Sequence, residues 1–158
     1  MHLQRERVDL RDIVRNAIET VGPDVSERNH RFSTELPNVP VWLQADPGRL
    51  EQVFVNLVAN ASKYTDAGGE LTLWVHTREG EAVVRVRDSG IGIAAEALPH
   101  IFALFRQANA LDPRSRSGLG VGLAVVRNLV ELHGGSVTGA SAGIGRGSEF
   151  TVRLPTEA

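Results

Sequence analysis

A two-layer α/β sandwich, built from a mixed β-sheet of about five strands with three main helices on one face, is the fold class this sequence predicts. Three observations carry the prediction: two apolar stripes at helical spacing with a third helical run apolar nearly all round, two cleanly alternating runs joined by a tight turn, and further strand-like runs on either side of them. The 158 residues suit one globular domain, spanning 1–158, that buries roughly two-thirds of the surface its unfolded chain exposes.

The first stripe is Leu10, Ile13, Val14, Ala17, Ile18 and Val21, with Asp9 placed to cap it and Gly22-Pro23 expected to stop it. Residues 31–36 and 41–45 read as strands. Asp46-Pro47 then makes a helix start, and Leu50, Val53, Phe54, Leu57, Val58 and Ala61 keep one stripe as far as Lys63-Tyr64. Residues 71–77 and 82–88 alternate, joined by Arg78-Glu79-Gly80-Glu81 as a hairpin turn. Short helical pieces are expected around residues 95–105 and a polar loop over 106–117. The third helix, residues 121–133, is apolar nearly all round and ends at Gly134-Gly135. Strands near residues 136–141 and 148–154 complete the set, with Phe150, Val152 and Leu154 on one face.

A formal net charge of -2 offers no electrostatic footprint for nucleic acid or an anionic membrane. With no cysteine there is neither a disulfide framework nor a thiolate metal site. No apolar run approaches the roughly 20 residues that cross a bilayer, and the chain reads as soluble. Of its 17 basic residues only Lys63 is a lysine, and it falls inside the most informative segment.

Asparagine is a poor helix-interior residue, yet Asn56 and Asn60 lie four apart on one face of the second helix. An amide oxygen suits Mg²⁺, which takes few protein ligands beside nucleotide phosphates. Lys63, one turn on, can meet phosphate oxygens as a point charge, and Tyr64 offers a flat ring to a base. Alternation puts Asp88 on the apolar side of its strand, where a carboxylate is costly without a donor; an adenine amino group would satisfy it. Gly90 and Gly92, directly after it, allow either close approach to a flat base or a sharp turn. Gly118-Leu119-Gly120-Val121-Gly122-Leu123 precedes the third helix, whose free amides and positive end suit phosphate. A dinucleotide fold competes for such glycines, but the position late in the chain and the absence of a βαβ unit with a following acid argue against it. Gly143 to Ser148 reads as a turn between strands.

Taken in order, these segments resemble the ATPase domain of sensor histidine kinases, within the wider family that includes the ATPase parts of gyrase, mismatch-repair and chaperone proteins. Residues 56–65 look like the asparagine box, 88–92 the first glycine box, Phe102-Ala103-Leu104-Phe105 the phenylalanine box, 118–123 the second glycine box and 147–150 the closing motif. The phenylalanine box, the 119–123 run and Leu132-His133-Gly134-Gly135 belong to the kinase branch. The resemblance implies a Bergerat-type fold with ATP and Mg²⁺ as cofactors: Asn60 on the metal, Asn56 and Lys63 near phosphates, Tyr64 near the base, and Asp88 accepting from adenine. It extends the nucleotide-contacting set to Gly90, Gly92, Ile93, Phe105, Gly118, Leu119, Gly120, Val121, Gly122, Leu123 and Ser148, and makes residues 106–117 a lid. Ser117 departs from the glycine that many relatives carry there, which implies a stiffer lid.

None of the five histidines has the acidic neighbour expected of a phosphoacceptor, and His133 reads as a surface residue compensating a helix end. The resemblance therefore implies that the acceptor lies upstream, on the dimerisation and histidine phosphotransfer domain of the same parent kinase. Residues 105–112 also look like kinases whose response regulator receiver domain follows downstream. The chain itself is expected to be a cytoplasmic monomer without direct membrane contact, whether or not its parent is membrane-anchored. A serine-kinase relative acting in trans and a non-catalytic nucleotide sensor are the two rival functions.

Overall fold

In a computed structural model, residues 2–103 and 119–157 are described. Their elements are β1 (Glu6–Asp9), α1 (Leu10–Glu27), β2 (Arg31–Glu35), β3 (Trp42–Ala45), α2 (Pro47–Lys63), β4 (Glu70–Arg78), β5 (Glu81–Asp88), α3 (Leu119–Leu132), β6 (Ser136–Ala140) and β7 (Ser148–Pro155), with one 3₁₀ turn at Leu98–His100. Five strands form the main sheet in the order β2-β4-β5-β7-β6, parallel between β2 and β4 and antiparallel elsewhere. The sheet is mixed, and the helices pack as a layer in which α2 touches both α1 and α3 and lies on β5. One hydrophobic core joins them, with Phe54, Leu57, Leu73, Val84 and Phe150 among its buried members.

Two elements depart from the expectation. The strand at residues 42–45 is not part of the main sheet but pairs antiparallel with β1, an N-terminal strand too short and too charged, Glu6-Arg7-Val8-Asp9, to show an alternating signal. Helix α1 does not stop at Gly22-Pro23; it continues to Glu27 because Val25, beyond the proline, is buried and rewards another turn. Past the cap at Arg28, Asn29 with φ of 56° forms the closing turn: its N–H donates to the Ser26 carbonyl at 3.0 Å, and that of His30 to Val25 at 3.2 Å.

The hairpin turn is as expected, with positive φ at both central residues, Glu79 (49°) and Gly80 (80°), the geometry that matches strand twist. The helical pieces expected over residues 95–105 amount to the single 3₁₀ turn among the described residues. His133 is not at the surface. It is buried, donating from Nδ1 to the Leu129 carbonyl at 2.8 Å and accepting at Nε2 from the Asp46 amide at 3.1 Å, so one imidazole closes α3 and fastens it to the cap of α2.

Asp9 shows how the helical layer is tied down. Its carboxylate accepts from the Arg11 amide at 3.1 Å to cap α1, from the Val41 amide at 3.1 Å, and from the Arg11 guanidinium at 2.8 Å. Burial pushes its pKa up, but the Arg11 side chain and the two backbone amides outweigh it and hold the group below its usual 3.8. A depressed folded pKa adds stability that is present above 3.8 and disappears as pH falls through the folded value. Asp9→Ala is thus expected to lower stability by about 1–3 kcal/mol at neutral pH. In thermal melts across pH, the gap from wild type should close only below the ordinary carboxylate range.

Candidate nucleotide site

The asparagine helix, α2, begins where Asp46 accepts from the Arg49 amide at 3.2 Å and Pro47 takes the first helical position. Its apolar stripe lies on the core, which leaves Asn60 buried at 6% exposure and Asn56 half-buried. The Oδ1 of Asn60 has no hydrogen-bond partner among the described residues. A buried amide oxygen without a donor costs free energy, about 1–3 kcal/mol, unless a ligand or cation meets it. Lys63 lies one turn on, its ammonium 5.7 Å from the centroid of the Tyr64 ring. Burial, and then the nearby charge of Arg28, push the pKa of that ammonium down.

Strand β5 delivers Asp88 to the inner face as alternation predicts, and the group is 5% exposed. Its carboxylate accepts from the Gly90 amide at 2.9 Å and from the Ser148 hydroxyl at 2.7 Å. Both donors are neutral. Burial raises its pKa above 3.8, while the bonds from Ser148 and Gly90 pull the other way and do not cancel it. A carboxylate has about four lone-pair positions, so these two donors and the Ser148 backbone amide, which also pulls its pKa down, leave acceptor capacity unused.

The first glycine pair is explained by the protein's own backbone. A side-chain carbon at Gly90 would overlap the Tyr64 carbonyl oxygen, and one at Gly92, where φ is 75°, would overlap the Gly143 carbonyl. The freed space lets the Ile91 amide donate to the Tyr64 carbonyl at 3.0 Å, the Gly145 amide to the Ile91 carbonyl at 2.7 Å, and the Gly147 amide to the Gly90 carbonyl at 3.1 Å. The last turn of α2, the turn after β5 and the loop between β6 and β7 are therefore one laced unit. Ser141, which the sequence did not single out, is its hub: its hydroxyl donates to the Gly147 carbonyl at 2.7 Å and accepts from the Ile93 amide at 3.0 Å. No local pattern marks a serine at a strand end as such a hub; only the pairing of distant loops does.

Of the other candidates, Ile93 is a core residue, and Leu123 is buried on α3. The chain is already helical at Leu119, so Leu119, Gly120, Val121 and Gly122 stand inside α3 rather than before it. Two glycines cost a helix about 1 kcal/mol each, and burial of Leu123, Val126, Leu129 and Val130 on the same helix offsets that. Phe102 meets Phe150 of the closing motif edge-on, with ring centroids 6.0 Å apart. Phe105, Gly118, Ser117 and the expected lid at residues 106–117 lie outside the described residues. Tyr64 is thus brought against the 88–92 turn and Ser148 against Asp88, while α2 packs along α3.

Comparison with known proteins identifies the family. Residues 45–158 match the family described as histidine kinase-, DNA gyrase B-, and HSP90-like ATPase. The sensor histidine kinase TrcS of Mycobacterium tuberculosis is 39% identical, aligned over 97% of this chain and 30% of its own length. The sensor histidine kinase ZraS of Klebsiella oxytoca is 37% identical, over 98% of this chain and 32% of its own. The chain spans a third or less of the length of these relatives. Among solved structures, the catalytic domain of histidine kinase ThkA superposes with a TM-score of 0.84 at 25% identity, covering 97% of this chain and 98% of that one. Full-length ShkA, solved in complex with AMPPNP, gives 0.84 at 29% identity, covering 100% of this chain and 32% of that one. A buried amide oxygen on α2 without a partner among the described residues, an inward acid at the end of β5 and glycines that lace the loops around them are thus found in a chain that belongs to the histidine kinase-type ATPase family, as a catalytic, ATP-binding domain of the sensor histidine kinases.

Proposed function

We propose that residues 1–158 act as one catalytic domain that binds Mg-ATP between α2, the 88–92 turn and α3, and supplies the γ-phosphoryl group to a histidine on the dimerisation helices of a longer cytoplasmic or membrane-anchored kinase. The observation that carries this reading is a pair of buried oxygens with capacity to spare, Asn60 Oδ1 and the Asp88 carboxylate. A hard neutral amide oxygen fits Mg²⁺, and an inward carboxylate fits the amino group of adenine. That ShkA was solved with AMPPNP supports the same use of the site here.

In this reading Asn60 offers its amide oxygen to the metal, whose charge neutralises the phosphates and the developing transition state. Lys63 places an ammonium beside phosphate oxygens, Asn56 lies on the same helix face, and Tyr64 lies near the base. Asp88 orients the purine and so fixes where the triphosphate points. Positioning and electrostatics are the whole contribution, and the nucleophile comes from a histidine nitrogen on the partner domain, with ADP as the leaving group. A response regulator then receives the phosphoryl group.

Calorimetric titration with ATP and GTP, with and without Mg²⁺, tests the two assignments. Asn60→Ala should lose the metal dependence and Asp88→Ala the preference for adenine, each by about 1–3 kcal/mol, the scale of a buried polar partner removed. Equal binding of ATP and GTP by wild type would sink the role of Asp88.

Asp88 also yields a pH signature. With its pKa raised in the folded chain, the ionised form costs stability above that pKa, and the cost vanishes as pH falls toward and below 3.8. Asp88→Asn should therefore melt higher than wild type without nucleotide at neutral pH, with the difference closing in acid. Wild-type affinity for adenine should fall on acidification earlier than an ordinary aspartate would allow.

Incubated alone with radiolabelled ATP, this chain should take up no stable label, and a polypeptide that joins it to its dimerisation helices should become labelled on histidine. Acid-stable label on serine would point to a different kinase class.

A further inference from the structure

The geometry points to His30 as a positioning residue that holds Lys63 and Tyr64 in place for nucleotide, an inference that rests on the proposed contact of those two side chains with phosphate and base. His30 follows the turn that ends α1, and its ring is buried against the end of α2. Nε2–H donates to the Thr65 carbonyl at 2.8 Å, and the Ser62 hydroxyl meets Nδ1 at 3.0 Å. The carbonyl can only accept, which fixes the proton on Nε2 and leaves Nδ1 as the acceptor. The two attachment points, Ser62 and Thr65, bracket Lys63 and Tyr64 and nothing else.

The rest of the bracket is backbone. The Gly68 amide donates to the Asn29 carbonyl at 3.1 Å and the Arg31 amide to the Gly69 carbonyl at 2.9 Å, so both neighbours of His30 are tied to the segment that follows α2. On the far side the Tyr64 carbonyl accepts from Ile91. The Thr65 hydroxyl donates back to the Ala61 carbonyl at 2.8 Å, satisfying one of the last carbonyls of α2 beside the bracket. If His30 served only to fill space, a leucine would do as well; two directed bonds on either side of the nucleotide-facing pair fix an orientation that leucine cannot.

The test is a coupling cycle read by calorimetry with Mg-AMPPNP, each variant being measured below its own melting temperature. His30→Leu should weaken binding roughly tenfold, the scale of a buried hydrogen bond, and His30→Gln, which keeps an N–H for the Thr65 carbonyl, should recover most of it. The loss should disappear when His30→Leu is made in a Lys63→Ala/Tyr64→Ala background. Wild-type affinity in a His30→Leu chain that merely melts earlier, or losses that add in full, would overturn the inference and leave His30 a packing residue. Unchanged binding by Lys63→Ala/Tyr64→Ala alone would remove the contact reading itself, and the inference with it. Should His30→Leu fail to fold, Ser62→Ala takes its place in the same cycle, and full additivity there is equally fatal.

Discussion

The close approach of the last turn of α2 to the turn that follows β5 is the constraint on which the rest of this structure depends. It is made of backbone, the Tyr64 carbonyl receiving the Ile91 amide, and it exists only because residue 90 has no side chain. Through it the helix that carries Asn56, Asn60 and Lys63 is registered against the strand end that carries Asp88. The loop between β6 and β7 then locks the same turn from the other side through Gly145 and Gly147. A site assembled from segments distant in sequence thus rests on main-chain bonds, which hold position with less rotational freedom than long side chains do.

Around this frame the chemistry is set by what was left unmatched. Asp88 is buried with only neutral donors around it, and Asn60 has an amide oxygen without a partner among the described residues. Each is a local cost that the hydrophobic cluster can carry, and each has the polarity of a specific ligand group. The core supplies the stability, and the site spends a little of it on being ready.

Much of this was legible in the sequence, and the reasons differ by element. The stripes of α1 and α2 are visible because each helix buries one face, α3 because it is apolar nearly all round, and the β4–β5 hairpin because both strands alternate around a turn with Gly80 in it. Asp88 was readable as inward from the parity of Val84 and Val86 alone. The β1–β3 ribbon was not, since four residues with only Val8 apolar show no period, and Val25 overrode the Gly22-Pro23 stop through tertiary burial. The glycines were legible as special but not for what: the atoms they make room for belong to Tyr64 and Gly143, more than fifty positions away on the Gly143 side. His133 and Ser141 each add to a local bond one long-range partner, Asp46 and Ile93 respectively, that no local pattern reveals.

The imidazole of His133 has a mechanical consequence. It joins α2 and α3 at the ends farthest along the chain from the asparagines and the glycine-rich start, so it acts as the rivet of a pair of tongs. Helix α3 is 14 residues long, which is about 21 Å at 1.5 Å per residue. A tilt of about 3° around that rivet shifts the opposite tip by about 1 Å, comparable to the tolerance of a phosphate contact. Small angular adjustments at a buried histidine are thereby magnified into displacements of the glycine-rich start of α3.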